Sequence, residues 1–592
     1  MKEFFKYFFA SFAAMFLYSI CSVGIYFVMF ICMLSMGGSG MSSSTNIEDK
    51  SVLQLKLNGS ITDRSVTQSD VYGMLSGSIG IEQTTGLTDI LRSIKAAKTD
   101  KKISAIYLNF SSISTDFANL QNIREALEDF AESGKPIYAW AESYDLATYY
   151  LASTATKIYM RELGGLEIKG IASQSMFYKP FLDRLGIDMQ VIRHGKFKSA
   201  VEPYLQGSMS DANRLQMSTL VNDIWTIFAK DICLSKNISE EDFNNNVDNL
   251  AYYSDIDFCV NSGLIDGLIS HKAAEDSIKA AIDVDSDDDL NIVTLKDYIS
   301  SLKKDKPKSD KIAIIYAEGE IDPSGDENTS ITAAKICDAF KTAQDDEDIK
   351  AVVFRINSPG GSATESEEIY QAAKACGEKK PLVVSMGGYA ASGGYYIACP
   401  AAKIVAMPST ITGSIGVFGV IPNVEKLLKD YELNVETVGT HKHSGMGSMY
   451  TKMDSREIDV IQQSVETVYG RFISHVAEGR NMTTADVDSI GQGRVWSGAS
   501  ALEIGLVDTL GSLNDALKIA AELADVSEYS TTALPNMNDD SMNMLLRSLL
   551  LTKVFAPESQ IPEECAPLLN EYNRIKKMKG VQCRMEPFML EY

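Results

Sequence analysis

The chain has 592 residues, 45% of them hydrophobic, which predicts a globular protein with two or more domains. Its net charge of −24 and its pI near 4.7 argue against nucleic-acid binding, which usually requires a basic surface. The nine cysteines are scattered singly without a C-x-x-C pair, so no zinc or redox motif is visible and buried thiols are expected.

The first predicted element is a membrane anchor at residues 7–36. This stretch contains no charged residue and is long enough to span a bilayer. It runs into a Gly/Ser-rich linker at 37–50 without the small-residue site of a cleaved signal peptide, so an uncleaved anchor is favoured. Lys2 and Lys6 precede the span, and the positive-inside rule therefore places residues 1–6 in the cytoplasm and the rest of the chain outside.

A tandem duplication organises the sequence after the linker. SVLQLKLNGSIT at 51–62 matches KIAIIYAEGEID at 311–322, an offset of 260 residues. Three further pairs follow in the same order: residues 100–109 with 346–355, 149–152 with 395–398, and 263–266 with 505–508. We predict a first repeat at 51–282, a linker at 283–310, a second repeat at 311–525 and a tail at 526–592.

Both repeats have the pattern of an α/β fold. Short β-branched runs alternate with longer helical patterns, such as 120–133 and 365–376, which predicts βαβ units around a mainly parallel sheet. In the tail, the apolar stretch 542–554 predicts a helix, whose role the sequence leaves open.

The two copies differ most at SMGGYAASGGYYIACP, residues 385–400. An apolar strand is followed there by glycines and a helical segment, so we expect Ser392 near a helix N-terminus, where free N–H groups favour an oxyanion. A tightly packed helix start would give the same local pattern. However, the first copy has YDLATYY at 144–150, without the serine, and this asymmetry favours a catalytic role for the second copy.

A second glycine-rich turn is also confined to the second copy. The segment INSPGGS at 356–362 follows a predicted strand, and its glycines allow backbone N–H groups to approach a ligand closely. We predict that the N–H groups of Gly361 and Gly393 form an oxyanion hole for Ser392.

The general base is less obvious from the residues. Residue 390 is alanine, so the G-x-S-x-G elbow of the α/β-hydrolases is absent, and the two histidines of the first copy, His194 and His271, are more typical of surface or packed positions. A lysine base must be buried, because its pKa has to fall from about 10.4 by roughly three units. Lys198, in GKFKSAVEP at 195–203, follows a predicted strand and has small, apolar neighbours.

Together, five motifs resemble the membrane-anchored signal peptide peptidase A family of bacteria, peptidase family S49, in its long, duplicated form. The resemblance covers nearly the whole chain up to about residue 525. The motifs are GKFKSAVEP at 195–203, NSPGGS at 357–362, ASGGYY at 391–396, PSTITGSIGV at 408–417 and GRVWSGASALEIGLVDTLG at 493–511.

The resemblance implies a ClpP/crotonase-like fold and a serine endopeptidase with a Ser/Lys dyad. It matches Ser392 to the nucleophile, Lys198 to the general base and Ser414 to a serine that hydrogen-bonds the lysine. Lys442, in GTHK at 439–442, lies at the corresponding place of the second copy and is a rival base.

The resemblance also implies the setting and the substrates. The implied substrates are cleaved signal peptides and other short apolar peptides. The implied enzyme is a homotetramer in the bacterial inner membrane, with its catalytic part on the periplasmic side. No cofactor, metal or nucleic-acid partner is expected. Two other functions remain open: a crotonase-type acyl-CoA enzyme, and a non-catalytic membrane scaffold for hydrophobic peptides.

Overall fold

A computed structural model describes residues 47–64, 84–302, 308–325, 330–535, 578, 580–585 and 589–591. The predicted anchor at 7–36 and the predicted tail helix at 542–554 lie outside these residues. Within the ranges given, no helix is long and apolar enough to cross a membrane.

The first half of the chain alternates strands and helices, as the sequence predicts. Its strands are β1 Ser51–Thr62, β2 Thr84–Gly86, β3 Ile103–Ser114, β4 Ile137–Ala141, β5 Tyr144–Asp145, β6 Lys157–Met160, β7 Leu166–Glu167, β8 Ala172–Gln174, β9 Asp188–His194, β10 Gly267–Leu268 and β11 Ile292–Thr294. Its helices are α1 Leu87–Thr99, α2 Phe117–Ala131, α3 Leu146–Ala152, α4 Lys179–Leu185, α5 Glu202–Leu205, α6 Asp211–Lys236, α7 Glu240–Asp248, α8 Ala251–Ser254, α9 Ile256–Asn261, α10 His271–Ala281 and α11 Leu295–Ser301, with a short 3₁₀ turn at Ser199–Val201.

The second half repeats this alternation. Its strands are β12 Lys311–Glu318, β13 Glu320–Ile321, β14 Ser330–Ile331, β15 Ile349–Ser358, β16 Gly360–Ser362, β17 Leu382–Ala391, β18 Lys403–Ala406, β19 Ile411–Gly413, β20 Val417–Asn423, β21 Val495–Ser497, β22 Thr509–Leu510, β23 Ser530–Leu534, β24 Gln582–Arg584 and β25 Met589–Glu591. Its helices are α12 Ala333–Asp345, α13 Ala363–Gly377, α14 Gly393–Ala398, α15 Glu425–Asp430, α16 Ser455–Arg480, α17 Thr484–Ile490, α18 Gly498–Glu503 and α19 Leu513–Leu523.

Two central sheets have the same strand order. In the first repeat the order is β10-β6-β4-β3-β1-β11, and all of these pairs are parallel. In the second repeat the corresponding path is β22-β18-β17-β15-β12-β23, again parallel throughout. The α/β class and the duplication are therefore confirmed. Because β11 and β23 pair with β1 and β12, each sheet extends past the predicted repeat end, at residue 282 or 525.

A third sheet combines strands from both repeats and the tail. Its order is β14-β13-β16-β24-β20-β9, in which β9 belongs to the first repeat and β20 to the second. β9 and β20 are antiparallel over seven residue pairs, from Val417 with His194 to Asn423 with Asp188. This pairing places the segment after β9 beside the glycine-rich turns of the second repeat.

A buried ion pair also joins the repeats. The Arg355 guanidinium on β15 donates two hydrogen bonds of 2.9 Å to the Asp63 carboxylate, just after β1. Both side chains are buried, and Arg355 Nη1 also donates to the Met386 carbonyl oxygen at 2.8 Å. Since an unpaired buried charge costs several kcal/mol, removing either partner should destabilise the contact between the repeats.

Candidate active site

Ser392 lies at the sharp turn between β17 and α14. Its backbone has φ 55° and ψ −113°, a left-handed conformation that non-glycine residues rarely adopt and that costs of order 1–3 kcal/mol. Backbone bonds hold it there, because its N–H donates to the Gly413 carbonyl oxygen at 2.8 Å and its own carbonyl accepts from Tyr396 N–H at 2.8 Å. The side chain is fully buried and does not cap the helix.

Lys198 reaches this serine from the first repeat. It follows β9 by four residues, and the Nζ atom lies 2.8 Å from Ser392 Oγ. The turn is held against the second repeat, because Phe197 N–H donates to the Gln492 carbonyl oxygen at 2.9 Å. Gly493 has φ 85°, and a Cβ there would lie 2.6 Å from Lys198 Cα, so glycine is required for this close approach.

The electrostatics of Lys198 suit a proton acceptor. Its side chain is 1% exposed, and burial lowers the pKa of the amine to about 7. Among the described residues, the amine is hydrogen bonded to two serine hydroxyls and one carbonyl oxygen, and to no carboxylate that would restore the charge. At neutral pH a substantial fraction of Lys198 is therefore uncharged and carries a free lone pair.

Ser414 completes the surroundings of the lysine. Both its Oγ and its carbonyl oxygen accept hydrogen bonds from Lys198 Nζ, each at 3.1 Å. Ser414 is held by its N–H, which donates to the Arg494 carbonyl oxygen at 2.6 Å. A neutral amine that donates two hydrogen bonds to Ser414 directs its lone pair towards the third neighbour, Ser392 Oγ.

Of the predicted oxyanion glycines, Gly393 lies at this turn and Gly361 lies on the neighbouring strand β16. Gly393 is the first residue of α14, where backbone N–H groups are free of helical partners. A Cβ on Gly393 would lie 2.8 Å from Ser366 Oγ and 3.1 Å from Gly360 Cα, so the two glycine turns are in close contact. Gly361 lies on β16, where a Cβ would be 2.0 Å from the Ile321 carbonyl oxygen.

The structure separates the other candidate bases from Ser392. The Lys442 side chain is 77% exposed, and its ammonium lies 3.7 Å from the Asp454 carboxylate. None of the five histidines is hydrogen bonded to Ser392, whose Oγ contacts Lys198 and, at 3.5 Å, the Gly416 carbonyl oxygen. Lys198 is thus the base candidate that the structure brings to the serine.

One segment beside the site was missed by sequence reasoning. Strand β24, from the tail, lies between β16 and β20, and its three residues are buried. Val581 to Met585 alternates apolar and polar residues, as a strand does, but a short strand some fifty residues after the recognisable repeat has no partner that spacing could reveal.

A possible metal cluster lies away from the serine. Ligand atoms of His443, Asp454 and Glu457 are within 4.8 Å of one another, but His443 and Asp454 are exposed and already pair with neighbouring side chains. Since exposed acidic groups of this kind are common, the cluster gives no reason to assign a metal.

Comparisons with known proteins agree with the motifs. The family model described as "Peptidase family S49" matches residues 129–285 and 374–527. Protease 4 of Salmonella typhi is 34% identical over 93% of this chain and 91% of its own length. The chloroplastic serine protease SPPA of Arabidopsis thaliana is 28% identical over 89% of this chain and 78% of its own length.

The two matched segments fall one in each repeat, so the protein is a mixed α/β protein with a duplicated peptidase domain. The chain belongs to peptidase family S49, and the resemblance inferred from the sequence is confirmed. Neither the acyl-CoA enzyme nor the scaffold is supported by these relatives. A mutant ClpP1 from Listeria monocytogenes is 17% identical over 34% of this chain and 94% of its own, with a TM-score of 0.24, so the ClpP/crotonase-like fold stays a prediction.

Proposed function

We propose that this protein is a membrane-anchored serine endopeptidase that degrades cleaved signal peptides and other short apolar peptides with a Ser392/Lys198 dyad. The observation that carries the proposal is the 2.8 Å contact between a buried lysine amine and a buried serine hydroxyl. The names of the relatives, Protease 4 and serine protease SPPA, support the peptidase activity.

The proposed mechanism follows from the contacts of the amine. Neutral Lys198 accepts the proton of Ser392 as Oγ attacks the peptide carbonyl carbon, and the resulting ammonium donates this proton to the leaving amine. Ser414 orients the lysine by accepting two of its hydrogen bonds. The N–H groups of Gly361 and Gly393 stabilise the oxyanion, and a water activated by Lys198 then releases the acyl group.

The dyad is tested by hydrolysis of a short apolar peptide at neutral pH by the full chain. Ser392→Ala and Lys198→Ala should each reduce kcat by about 10⁴-fold or more, because nucleophile and base act as one unit. Lys442→Ala is the matched control and should retain the rate, since that lysine is exposed. Activity retained in either dyad variant contradicts the assignment.

The membrane anchor, the apolar substrates and the tetramer are proposed from the family resemblance. The anchor at 7–36 would keep the enzyme at the periplasmic face of the inner membrane, and a homotetramer would enclose its active sites. A synthetic signal peptide should be hydrolysed faster than a scrambled, polar peptide of the same length. Equal rates would contradict the preference for apolar substrates, and monomers in a sedimentation experiment in detergent would contradict the tetramer.

A further inference from the structure

Gln216, on α6 of the first repeat, contacts both sides of the turn that carries Lys198. Its side chain is 1% exposed. The amide nitrogen Nε2 donates to the Phe197 carbonyl oxygen at 3.1 Å and to Ser199 Oγ at 2.9 Å. Since Phe197 and Ser199 are the chain neighbours of Lys198, one amide group holds the turn before and after the lysine.

The same side chain also reaches the second repeat. Gln216 Oε1 accepts a hydrogen bond from Val495 N–H at 3.3 Å. Val495 directly follows Arg494, whose carbonyl oxygen accepts from Ser414 N–H at 2.6 Å. Gln216 therefore joins the turn of Lys198 to the loop that holds Ser414 in place.

Other glutamines join the two repeats away from this turn. Two more buried glutamines of the first repeat accept a hydrogen bond from a backbone N–H of the second, namely Gln121 from Ser409 at 3.0 Å and Gln190 from Met453 at 2.9 Å. In the described part of the chain, neither of them is hydrogen bonded to residues 197–199. Gln216 differs from them because its amide nitrogen also holds the lysine turn.

An amide is suited to this position because it carries no charge. A carboxylate bonded to the same turn would favour the ammonium form of Lys198 and raise its pKa. The amide of Gln216 supplies both a donor and an acceptor without this effect. It can therefore hold the turn and leave the amine uncharged.

The ionisable side chains on the neighbouring segments are bound to other groups, exposed or uncharged at neutral pH. Arg193 on β9 donates to the Lys198 carbonyl oxygen at 3.0 Å and lies 3.9 Å from the Glu202 carboxylate. Further groups are the exposed Lys196, His194, which is hydrogen bonded to Glu466 at 2.7 Å, Arg494, whose guanidinium lies 4.0 Å from the centre of the Trp496 ring, and Cys583, whose pKa is raised by burial to about 12.

We propose that Gln216 is a positioning residue for the dyad, which holds the turn of Lys198 so that its amine stays within hydrogen-bond distance of Ser392 Oγ and shielded from water. This inference rests on the proposed peptidase function. Without the amide, the turn is free to shift, the contact of 2.8 Å between the two groups is lost for part of the time, and water reaches the amine. A hydrated amine has a pKa closer to its ordinary value, so less neutral base is present at pH 7.

Hydrolysis of a short apolar peptide by full-length Gln216→Met tests the proposal. Methionine has a similar length but cannot replace either set of hydrogen bonds. We expect kcat at pH 7 to fall by about 10- to 100-fold with KM changed less than about twofold, since the base is misplaced and peptide binding is not affected. The rising limb of kcat/KM against pH should move upwards by about half a pH unit or more.

Gln190→Met is the matched control. It also leaves one backbone N–H of the second repeat without its glutamine acceptor, but at Met453, away from the lysine turn. We expect the wild-type kcat and pH profile for this variant. An unchanged kcat and pH profile in Gln216→Met overturns the proposal, and so does an equal loss in Gln190→Met, because a weaker contact between the repeats would then explain both.

Ser199→Ala tests the same contact with a smaller change, and it decides the question if Gln216→Met does not fold. It removes one acceptor of the Gln216 amide and should lower kcat by about threefold, as loss of one hydrogen bond implies, with a shift of the pH profile in the same direction. In the Gln216→Met background it should have no further effect, because that bond is already lost. Losses that multiply in the double variant, or a wild-type pH profile in Ser199→Ala, overturn the proposal.

The same peptide assay separates this inference from the proposed function. If the wild-type chain hydrolyses the peptide, Ser392→Ala does not, and Gln216→Met equals wild type, the inference is overturned and the peptidase function stands. If the wild-type chain does not hydrolyse the peptide, both are overturned.

Discussion

The helix starts of α3 and α14 lie at corresponding places of the two repeats, but their cap residues differ. Before α3, the Asp145 side chain accepts a hydrogen bond from Thr148 N–H at 2.8 Å and takes part in a capping box. Before α14, Ser392 has the cap position in a left-handed conformation and makes no cap bond with its side chain. Its Oγ lies 2.8 Å from the Lys198 amine instead.

Both helices are anchored by an equivalent tyrosine hydrogen bond. The Tyr149 hydroxyl donates to the Leu264 carbonyl oxygen at 2.9 Å, and the Tyr395 hydroxyl donates to the Leu506 carbonyl oxygen at 2.8 Å. These residues are the pairs that the repeat alignment matches. The two helices are therefore anchored alike, whereas their caps differ.

The second repeat lacks the stabilising helix cap that the first repeat has. A side-chain cap is worth about 1 kcal/mol, and a left-handed serine costs a further 1–3 kcal/mol. The first repeat keeps the stabilising arrangement, whereas the second has a serine hydroxyl free of cap bonds beside a buried lysine.

The largest expected effect concerns the buried lysine. Its folded-state pKa of about 7 lies below its ordinary 10.5, so unfolding takes up a proton between these pH values and the folded state is penalised most below pH 7. The penalty is about 5 kcal/mol at most, reduced to about 3 by the hydrogen bonds that the amine makes. Lys198→Met should therefore raise the free energy of unfolding by about 3 kcal/mol at pH 6.

Urea unfolding at pH 6 and pH 10 measures this effect. The gain should shrink towards pH 10, where the wild-type penalty has nearly gone. Lys442→Met is the matched control and should change stability little, because its side chain is exposed. A Lys198→Met protein that is no more stable than wild type at pH 6 would show that folding does not lower the pKa of this amine.

The next effect concerns the first glycine of α14. Gly393→Ala would place a methyl group 2.8 Å from Ser366 Oγ and 3.0 Å from the Cys583 carbonyl oxygen. A methyl group there should displace the carbonyl oxygen of a bound substrate. We expect a loss of about 100-fold in kcat for peptide hydrolysis, comparable to removal of an oxyanion donor. Ala147→Gly, in the corresponding helix of the first repeat, should leave the rate within about twofold, and an equally large loss there would contradict the division of roles.

The smallest effect concerns the cap of the first repeat. Asp145→Ala removes the acceptor for Thr148 N–H and should lower the free energy of unfolding by about 1 kcal/mol without changing kcat. Asp145→Asn keeps an acceptor and should lose much less. Thermal unfolding of the three proteins measures the difference, and an Asn variant as unstable as the Ala variant would argue against a capping role.

Much of this architecture could be predicted from the sequence because the domain is duplicated. The offset between 51–62 and 311–322 identified β1 and β12 as equivalent strands, and the serine missing from one copy singled out Ser392. The approach of Lys198 to Ser392 was not accessible from spacing, because it depends on β9 pairing with β20 in a sheet shared by both repeats. The family motifs supplied that pair, whereas they end before β24, and the short alternation at 581–585 does not say which strands it pairs with.

The central claim is that a lysine of the first repeat activates a serine of the second. It is tested most directly by the rate at which a serine-reactive phosphonate labels Ser392 as a function of pH. The account predicts that labelling accelerates through a pKa of about 7, as Lys198 loses its proton, and is nearly abolished in Lys198→Ala. Labelling of Lys198→Ala at the wild-type rate, with no dependence on pH near 7, would contradict it.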